Sequence, residues 1–168
     1  MKNKKETLNI CILGMSSIAN RSVIPELTLI PNKFNLKAIG SLKNKDKIPN
    51  TFTNTKIYES YQKAIEDKDL DAVYISLPNA IHYEWIKNSL NNNLHVICEK
   101  PFTCDYEQAK ELINLARNKN LVLMVTFQFR FHKQFDFLNT FISNKILGEL
   151  RSLQVSFCFP KLDENNIR

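Results

Sequence analysis

The sequence has 168 residues, of which 43% are hydrophobic and 24% charged, and a net charge of +6. This length fits one globular domain, or one domain and the start of another, and no apolar run approaches the roughly 18 residues of a membrane span. The lysines are spread along the chain without an arginine-rich patch, which argues against a nucleic-acid-binding protein. The four cysteines lack CxxC or metal-ligand spacing, so we expect no metal site and reduced thiols in the cytoplasm.

The first half of the chain alternates apolar runs with helical periods. A buried strand is predicted over Leu8–Gly14, a helix from about Ser17 to Leu29, and a second strand over "FNLKAIG". After a polar loop, "SYQKAIED" predicts a short helix. The run "LDAVYISLP" (Leu70–Pro78) is rich in β-favouring residues and predicts the next strand.

Three helices and two strands are predicted in the second half. Asn79 is expected to cap a helix with one apolar face, formed by Ile81, Trp85, Ile86 and Leu90. "LHVICE" follows as a strand. Asp105 and Gln108 resemble a capping box. The helix that they open has its inner face at Ala109, Leu112, Ile113 and Ala116. "LVLMVTF" is another buried strand, and a helix from His132 to Asn144 places Phe135, Leu138 and Ile142 on one side.

The strands are continuously apolar and are separated by helices. This pattern is typical of a parallel sheet with helices on both faces, so the predicted class is a Rossmann-type, doubly wound α/β domain. The run "LRSLQVSFCF" differs, because Leu153, Val155, Phe157 and Phe159 alternate with smaller or polar residues. Such alternation indicates a half-buried antiparallel strand. We therefore predict a Rossmann domain over residues 1–147 and the first strand of an incomplete second domain over residues 148–168.

The loop "GMSSIA" follows the first strand and resembles a dinucleotide-binding G-x-G-x-x-G/A motif. Gly14 and Ala19 fill the outer positions, whereas Ser16 replaces the middle glycine. A serine Cβ crowds the pyrophosphate, although its hydroxyl can donate to a phosphate oxygen. The helix N-terminus still offers free N–H groups. A plain strand–turn–helix connection is the equal alternative on this motif alone.

The end of the second strand bears on the choice of cofactor. NAD-binding proteins usually carry an acidic residue there, which holds the ribose 2′-hydroxyl. Here the segment "AIGSLKNK" offers Ser41, Lys43 and Lys45, with no carboxylate before Asp46. A hydroxyl and lysines suit a 2′-phosphate better. NADP is therefore favoured over NAD, and loop lysines that only improve solubility are the alternative.

Three segments together resemble the Gfo/Idh/MocA oxidoreductases, the glucose–fructose oxidoreductase and inositol dehydrogenase family. They are "ILGMSSIANRSVIPEL", "AVYISLPNAIHYEWIKNSLNNNLHVICEKPFT" and "FQFRFH". The resemblance implies a Rossmann domain followed by a C-terminal α/β domain with a large open antiparallel sheet. It also implies NAD(P)-dependent oxidation or reduction of hydroxyl and keto groups on a sugar, cyclitol or sugar-nucleotide-like substrate.

The resemblance assigns site residues as well. It places the pyrophosphate over Gly14, Ser16, Ser17, Ile18 and Ala19, and the adenosine ribose beside Ser41 and Lys43. It places the nicotinamide side along Leu77, Pro78, Asn79 and His82, followed by Glu99, Lys100 and Pro101, with Arg130 as a further cofactor contact. Lys100 is the implied catalytic residue, which hydrogen-bonds the reacting substrate oxygen and assists proton transfer.

A further acid–base residue, commonly a histidine of the second domain, is implied by the resemblance but has no counterpart here. We therefore expect weak or absent turnover from the isolated chain, and a non-catalytic NAD(P)-binding or interaction module is the alternative function. The predicted last strand would leave an apolar row and a bare edge in water. We expect residues 150–160 to pair with a second copy of the chain or with a separate complementing C-terminal half.

Overall fold

The computed structural model describes residues 7–42, 54–156 and 158. By its internal contacts the chain divides into two compact units, Met1–Phe127 and Gln128–Arg168. The domain boundary between residues 147 and 148 stays a prediction. Among the described residues, no helix is both long and apolar enough to cross a membrane.

The first unit is built on a six-stranded sheet in which every pairing is parallel. Its strands are β1 (Leu8–Leu13), β2 (Phe34–Gly40), β3 (Lys56–Tyr58), β4 (Ala72–Ile75), β5 (His95–Cys98) and β6 (Leu123–Val125). They lie in the order β3-β2-β1-β4-β5-β6. This is the doubly wound order of dinucleotide-binding domains, with its switch point between β1 and β4. The predicted fold class is confirmed, although β3 was not predicted.

Helices cover both faces of this sheet. They are α1 (Ile24–Leu29), α2 (Tyr61–Ile65), α3 (His82–Asn91) and α4 (Tyr106–Asn118). On one face, α2, α3 and α4 bury Ile65, Leu90 and Leu112 against the strands. On the other face, the segment from Ala19 to α1 buries Ala19 and Ile24. Burial on both faces explains why the strands are apolar at nearly every position.

The helical segment after β1 contains a π-helical turn, Ala19–Val23, before α1. The Ile24 N–H donates to the Ala19 carbonyl, five residues back. Pro25 lies at the start of α1 and has no N–H to continue the regular pattern. The wider turn accommodates the proline without ending the helix. The predicted helix therefore forms, but with a locally different geometry.

Three local predictions are wrong. Asn79 does not cap α3, because it lies inside a 3₁₀ turn, Asn79–Ile81, and no side chain caps the helix that follows. Ile113 is 40% exposed, since the buried stripe of α4 runs through Leu112 and Ala116. The strand β6 is not fully buried, because it lies at the edge of the sheet and Met124 is 37% exposed.

The second unit contains α5 (Lys133–Ser143), which confirms the predicted last helix. His132 caps it, because its Nδ1 accepts a hydrogen bond of 3.2 Å from the Gln134 N–H. The predicted strand that follows is not formed over residues 148–156. A strand needs a hydrogen-bonded neighbour, and the described part of this unit contains no other strand. Phe157 and Phe159 lie outside the described residues.

Candidate nucleotide-binding site

The carboxyl ends of the six parallel strands lie at one edge of the sheet. Just beyond β1, β4, β5 and β6, a backbone N–H donates to a carbonyl of the neighbouring strand. These donors are Gly14, Ser76, Glu99 and Thr126, with N–O distances of 2.9, 3.0, 2.9 and 2.9 Å. The four segments are therefore held side by side at the edge where doubly wound domains bind their ligands.

Gly14 is required for both its backbone angle and its lack of a side chain. Its φ of +87° lies in the region that favours glycine. A Cβ atom there would lie 2.7 Å from Leu77 Cδ2 and 3.0 Å from the Ser76 carbonyl oxygen. The Ser76 hydroxyl also donates to the Gly14 carbonyl at 2.7 Å. The first glycine of the loop thus lets the ends of β1 and β4 approach closely.

Ser16 acts at the start of the helix that follows. Its Oγ accepts a hydrogen bond of 3.2 Å from the Ala19 N–H. Ser17 is exposed, while Ile18 is half-buried and Ala19 is fully buried. The loop thereby presents its backbone beside a helix N-terminus, where N–H groups favour an anion. The serine side chain occupies the position at which a glycine would leave space for phosphate.

The end of β2 carries the predicted ribose-side residues. Ser41 is 3% exposed, and its N–H donates to the Tyr58 carbonyl at 2.9 Å. Lys43 lies outside the described residues. Gly40, one residue earlier, packs closely against α2, since a Cβ there would lie 3.1 Å from the Ala64 Cβ. The structure thus places Ser41 at the expected edge of the sheet.

The segment after β4 contains one buried histidine. Leu77 is 7% exposed, whereas Pro78 and Asn79 are exposed. His82 is completely buried, with Nδ1 2.8 Å from the Pro101 carbonyl oxygen and Nε2 2.9 Å from the Leu77 carbonyl oxygen. A neutral ring donates from one nitrogen and a protonated ring from both. His82 therefore links the segments after β4 and β5 through their backbones.

The three residues after β5 differ in their exposure. Glu99 is 8% exposed, and its Oε1 accepts a hydrogen bond of 2.7 Å from the Tyr74 hydroxyl. Lys100 is exposed, and the bond between Lys100 and Pro101 is cis. Burial raises the pKa of the preceding Cys98 thiol to about 12, with the nearby Glu99 charge adding to the effect. Lys100 is thus the accessible ionisable group of this segment, whereas the Cys98 thiol is buried.

Arg130 belongs to the second unit. It lies in a 3₁₀ turn, Gln128–Phe131, and is exposed. The part of the chain after Phe127 is a separate compact unit. The contact of Arg130 with a cofactor therefore stays a prediction.

Sequence reasoning missed three polar residues at this edge. Tyr74 and Ser76 were counted only as strand formers, yet their hydroxyls bond to Glu99 and Gly14. Thr126 was read as part of a buried strand, but its Oγ1 is buried without a hydrogen-bond partner in the described structure. The sequence did offer a signal for these three residues, because each carries a hydroxyl group within or directly after an otherwise apolar strand.

The fold and this edge define a dinucleotide-binding α/β protein of the Rossmann type. The residues present fit such a ligand, because Gly14 makes the tight turn after β1 with a positive φ and the loop leads directly into a helix N-terminus, as in dinucleotide-binding loops. The sequence matches the model of the oxidoreductase family with an NAD-binding Rossmann fold, Gfo/Idh/MocA, over residues 8–127. The chain belongs to this family, which confirms the resemblance found from its motifs.

Relatives and solved structures agree with this assignment. The chain is 33% identical over 163 residues to dTDP-3,4-didehydro-2,6-dideoxy-alpha-D-glucose 3-reductase of Actinomadura kijaniata, covering 96% of this chain and 48% of the relative. It is 29% identical to D-xylose 1-dehydrogenase (NADP(+)) 2 of Haloferax volcanii, covering 88% of this chain and 45% of the relative.

Among solved structures, a 3-ketoreductase from Actinomadura kijaniata in complex with NADP and TDP-benzene matches with a TM-score of 0.76. The two sequences are 34% identical, and the match covers 86% of this chain and 45% of that chain. The chain thus spans about half the length of the relatives that it matches.

Proposed function

We propose that this chain is the NADP-binding half of an oxidoreductase that acts on a hydroxyl or keto group of a sugar, cyclitol or sugar nucleotide. The observation that carries the proposal is the shared edge that gathers the Gly14 loop and the Glu99–Lys100–Pro101 segment. The two relatives described above, a sugar-nucleotide 3-reductase and a sugar dehydrogenase, support this substrate class.

The residues at this edge of the sheet contact different parts of the cofactor. The loop from Gly14 to Ala19 holds the pyrophosphate, and Ser41 with Lys43 holds the 2′-phosphoribose. Leu77, Pro78, Asn79 and Glu99 border the nicotinamide, whose ring supplies hydride transfer when the cofactor is bound. His82 and Pro101 keep this border in place.

Lys100 exchanges a proton with the reacting oxygen of the substrate. In reduction, its ammonium donates a proton to the substrate carbonyl oxygen as negative charge develops there. In oxidation, the neutral amine accepts the proton of the hydroxyl group. A lysine suits this role because its ammonium donates hydrogen bonds from an exposed position at the ligand-binding edge.

Cofactor titration tests the proposal. NADPH and NADH are added separately while the fluorescence of Trp85 is followed, since Trp85 is the single tryptophan and lies on α3. We expect NADPH to bind more tightly than NADH. A panel of sugars, cyclitols and sugar nucleotides is then assayed for turnover. Binding without turnover favours the non-catalytic module, and the absence of binding contradicts both functions.

Ser16→Gly is expected to tighten NADPH binding about fivefold, which corresponds to ~1 kcal/mol. The substitution removes the Cβ that crowds the pyrophosphate, while losing the hydroxyl cap to Ala19 costs only a few tenths of a kcal/mol. Ser16→Ala is the control, because it keeps the Cβ and loses the cap. Equal dissociation constants for all three proteins would show that the loop does not approach phosphate.

We also propose that residues 150–160 pair with a second copy of the chain or with a separate complementing half. Leu153 and Val155 are 77% and 76% exposed, and apolar side chains in such a row favour burial. Light scattering is expected to report a mass above that of one chain, and Val155→Lys is expected to reduce it to the monomer. A monomer for both proteins would refute self-association. A separately produced C-terminal half of a relative then tests complementation.

The free thiols support a reducing cytoplasm as the location. Cys11 and Cys98 are buried, but β4 separates their strands. Two strand spacings amount to about 10 Å, which exceeds the Cα separation of about 7 Å that a disulfide allows. These two cysteines therefore cannot form a disulfide in this fold.

A further inference from the structure

Tyr74 and Glu99 form a buried pair at the ligand-binding edge. Tyr74 on β4 lies beside Ile97 on β5. Glu99 is two residues beyond Ile97, so it extends from the same face of the sheet. The Tyr74 hydroxyl donates to Glu99 Oε1 at 2.7 Å, and the two residues are only 3% and 8% exposed.

The charge at this pair has no cationic partner. Among the described residues, Glu99 makes no ion pair, and Lys100 beside it in sequence is exposed. A buried carboxylate that is held by a single hydroxyl is costly, and an apolar pair would serve the core better. The pair is therefore poorly explained by stability alone.

Tyr74 remains a donor under all ordinary conditions. Burial, the hydrogen bond to Glu99 and the charge of Glu99 together raise the pKa of the Tyr74 hydroxyl well above its usual value. The hydroxyl therefore stays protonated, and it occupies Oε1 of Glu99. The second oxygen, Oε2, is left for another donor, because an ionised carboxylate only accepts hydrogen bonds.

We propose that Tyr74 is a positioning residue, which fixes the Glu99 carboxylate so that Oε2 accepts a hydrogen bond from the nicotinamide half of the cofactor. The inference rests on the proposed function and assigns a role to a residue outside the cofactor contacts described above. The ligand group must be a donor, which the carboxamide N–H and the ribose hydroxyls of this half supply. Thr126, which follows the adjacent strand, carries a buried hydroxyl without a partner in the described structure. This hydroxyl is a buried polar group at the same end of the sheet that a ligand could satisfy.

Three ligands separate this role from a general effect on binding. NADPH contains the nicotinamide half, whereas 2′-phospho-ADP-ribose lacks the nicotinamide ring. Tyr74→Phe keeps the ring and removes only the hydroxyl. We expect it to weaken NADPH binding about tenfold, since a hydrogen bond to a charged group is lost. Binding of 2′-phospho-ADP-ribose is expected to change less than twofold if the carboxamide is the donor. If a ribose hydroxyl is the donor, both ligands lose affinity, whereas 2′,5′-ADP, which lacks this ribose, does not.

A second pair of residues provides a matched control. Tyr83 donates to Glu111 Oε2 at the same distance of 2.7 Å, but this pair lies on the surface between α3 and α4. Tyr83→Phe is expected to leave the dissociation constants of all three ligands unchanged. Equal losses for Tyr74→Phe and Tyr83→Phe would overturn the inference.

A double-mutant cycle tests whether Tyr74 acts through Glu99. In a Glu99→Gln background, Tyr74→Phe is expected to cause no further loss of NADPH affinity, because its partner is already altered. Additive losses overturn the positioning role. If Tyr74→Phe does not fold, Glu99→Gln alone must show the ligand-selective loss, and its absence also overturns the role. A wild-type protein that binds none of the three ligands refutes the proposed function itself.

Discussion

Gly14→Ala is expected to lower the free energy of unfolding by about 2–5 kcal/mol and to abolish measurable NADPH binding. The left-handed backbone costs an alanine roughly 1–2 kcal/mol. The new Cβ would also lie 2.7 Å from Leu77 Cδ2 and 3.0 Å from the Ser76 carbonyl, and such overpacking costs about 1–3 kcal/mol more. Denaturant unfolding measures the first effect, and Trp85 fluorescence titration measures the second.

Two other glycines separate the cost of the backbone angle from the cost of overpacking. Gly148 has a φ of +70°, but a Cβ there meets nothing within 4 Å, so Gly148→Ala carries only the backbone cost. Gly40 has no positive φ, but a Cβ would lie 2.8 Å from Leu13 Cδ2, so Gly40→Ala carries only the packing cost. We expect both losses to be smaller than that of Gly14→Ala. A Gly14→Ala protein with unchanged stability and NADPH affinity would contradict the role assigned to the loop.

The sequence was sufficient for the parallel sheet, because its strands are apolar at nearly every position and alternate with amphipathic helices. The Asp105 cap was also predictable, and its carboxylate accepts a hydrogen bond of 3.0 Å from the Gln108 N–H. The short strand β3 was not, since "KIY" has three residues and only one of them is aliphatic. This segment forms a strand because it pairs with β2, since its local β propensity is too weak to predict one.

The loops of the candidate site were predictable from the sequence, but the hydrogen bonds that hold these loops in place were not. The Gly14 loop and the Glu99–Lys100–Pro101 segment carry recognisable motifs. By contrast, the bond from Tyr74 to Glu99 joins residues that are 25 positions apart. Such a contact depends on which strands are neighbours and on their register, and neither follows from the period of one strand. Sequence patterns therefore locate the residues that are proposed to face the ligand more readily than the residues that hold them in place.

His82 is another residue whose contacts could not be predicted from the sequence, and its substitution is expected to have the second large effect on stability. The family resemblance predicts that His82 lines the nicotinamide side, and the structure shows its ring buried between the Leu77 and Pro101 carbonyls. The two carbonyls belong to the segments after β4 and β5, which border the proposed nicotinamide position. A single buried ring thus ties the proposed catalytic lysine segment to the adjacent strand end.

His82→Leu is expected to lower the free energy of unfolding by about 1–3 kcal/mol, because the Leu77 or Pro101 carbonyl that accepts from the ring loses its donor and a buried unmet group costs about that much. NADPH affinity is expected to fall as well, since the segments after β4 and β5 lose their link. His95→Leu is the matched control, because His95 is half-buried and makes one bond, accepting from the Val122 N–H at 3.0 Å. Its expected loss is about 1 kcal/mol. Denaturant unfolding measures the stability of both variants, and NADPH titration measures their affinity. Equal losses of stability and of NADPH affinity in the two variants would mean that His82 does not hold the two segments together.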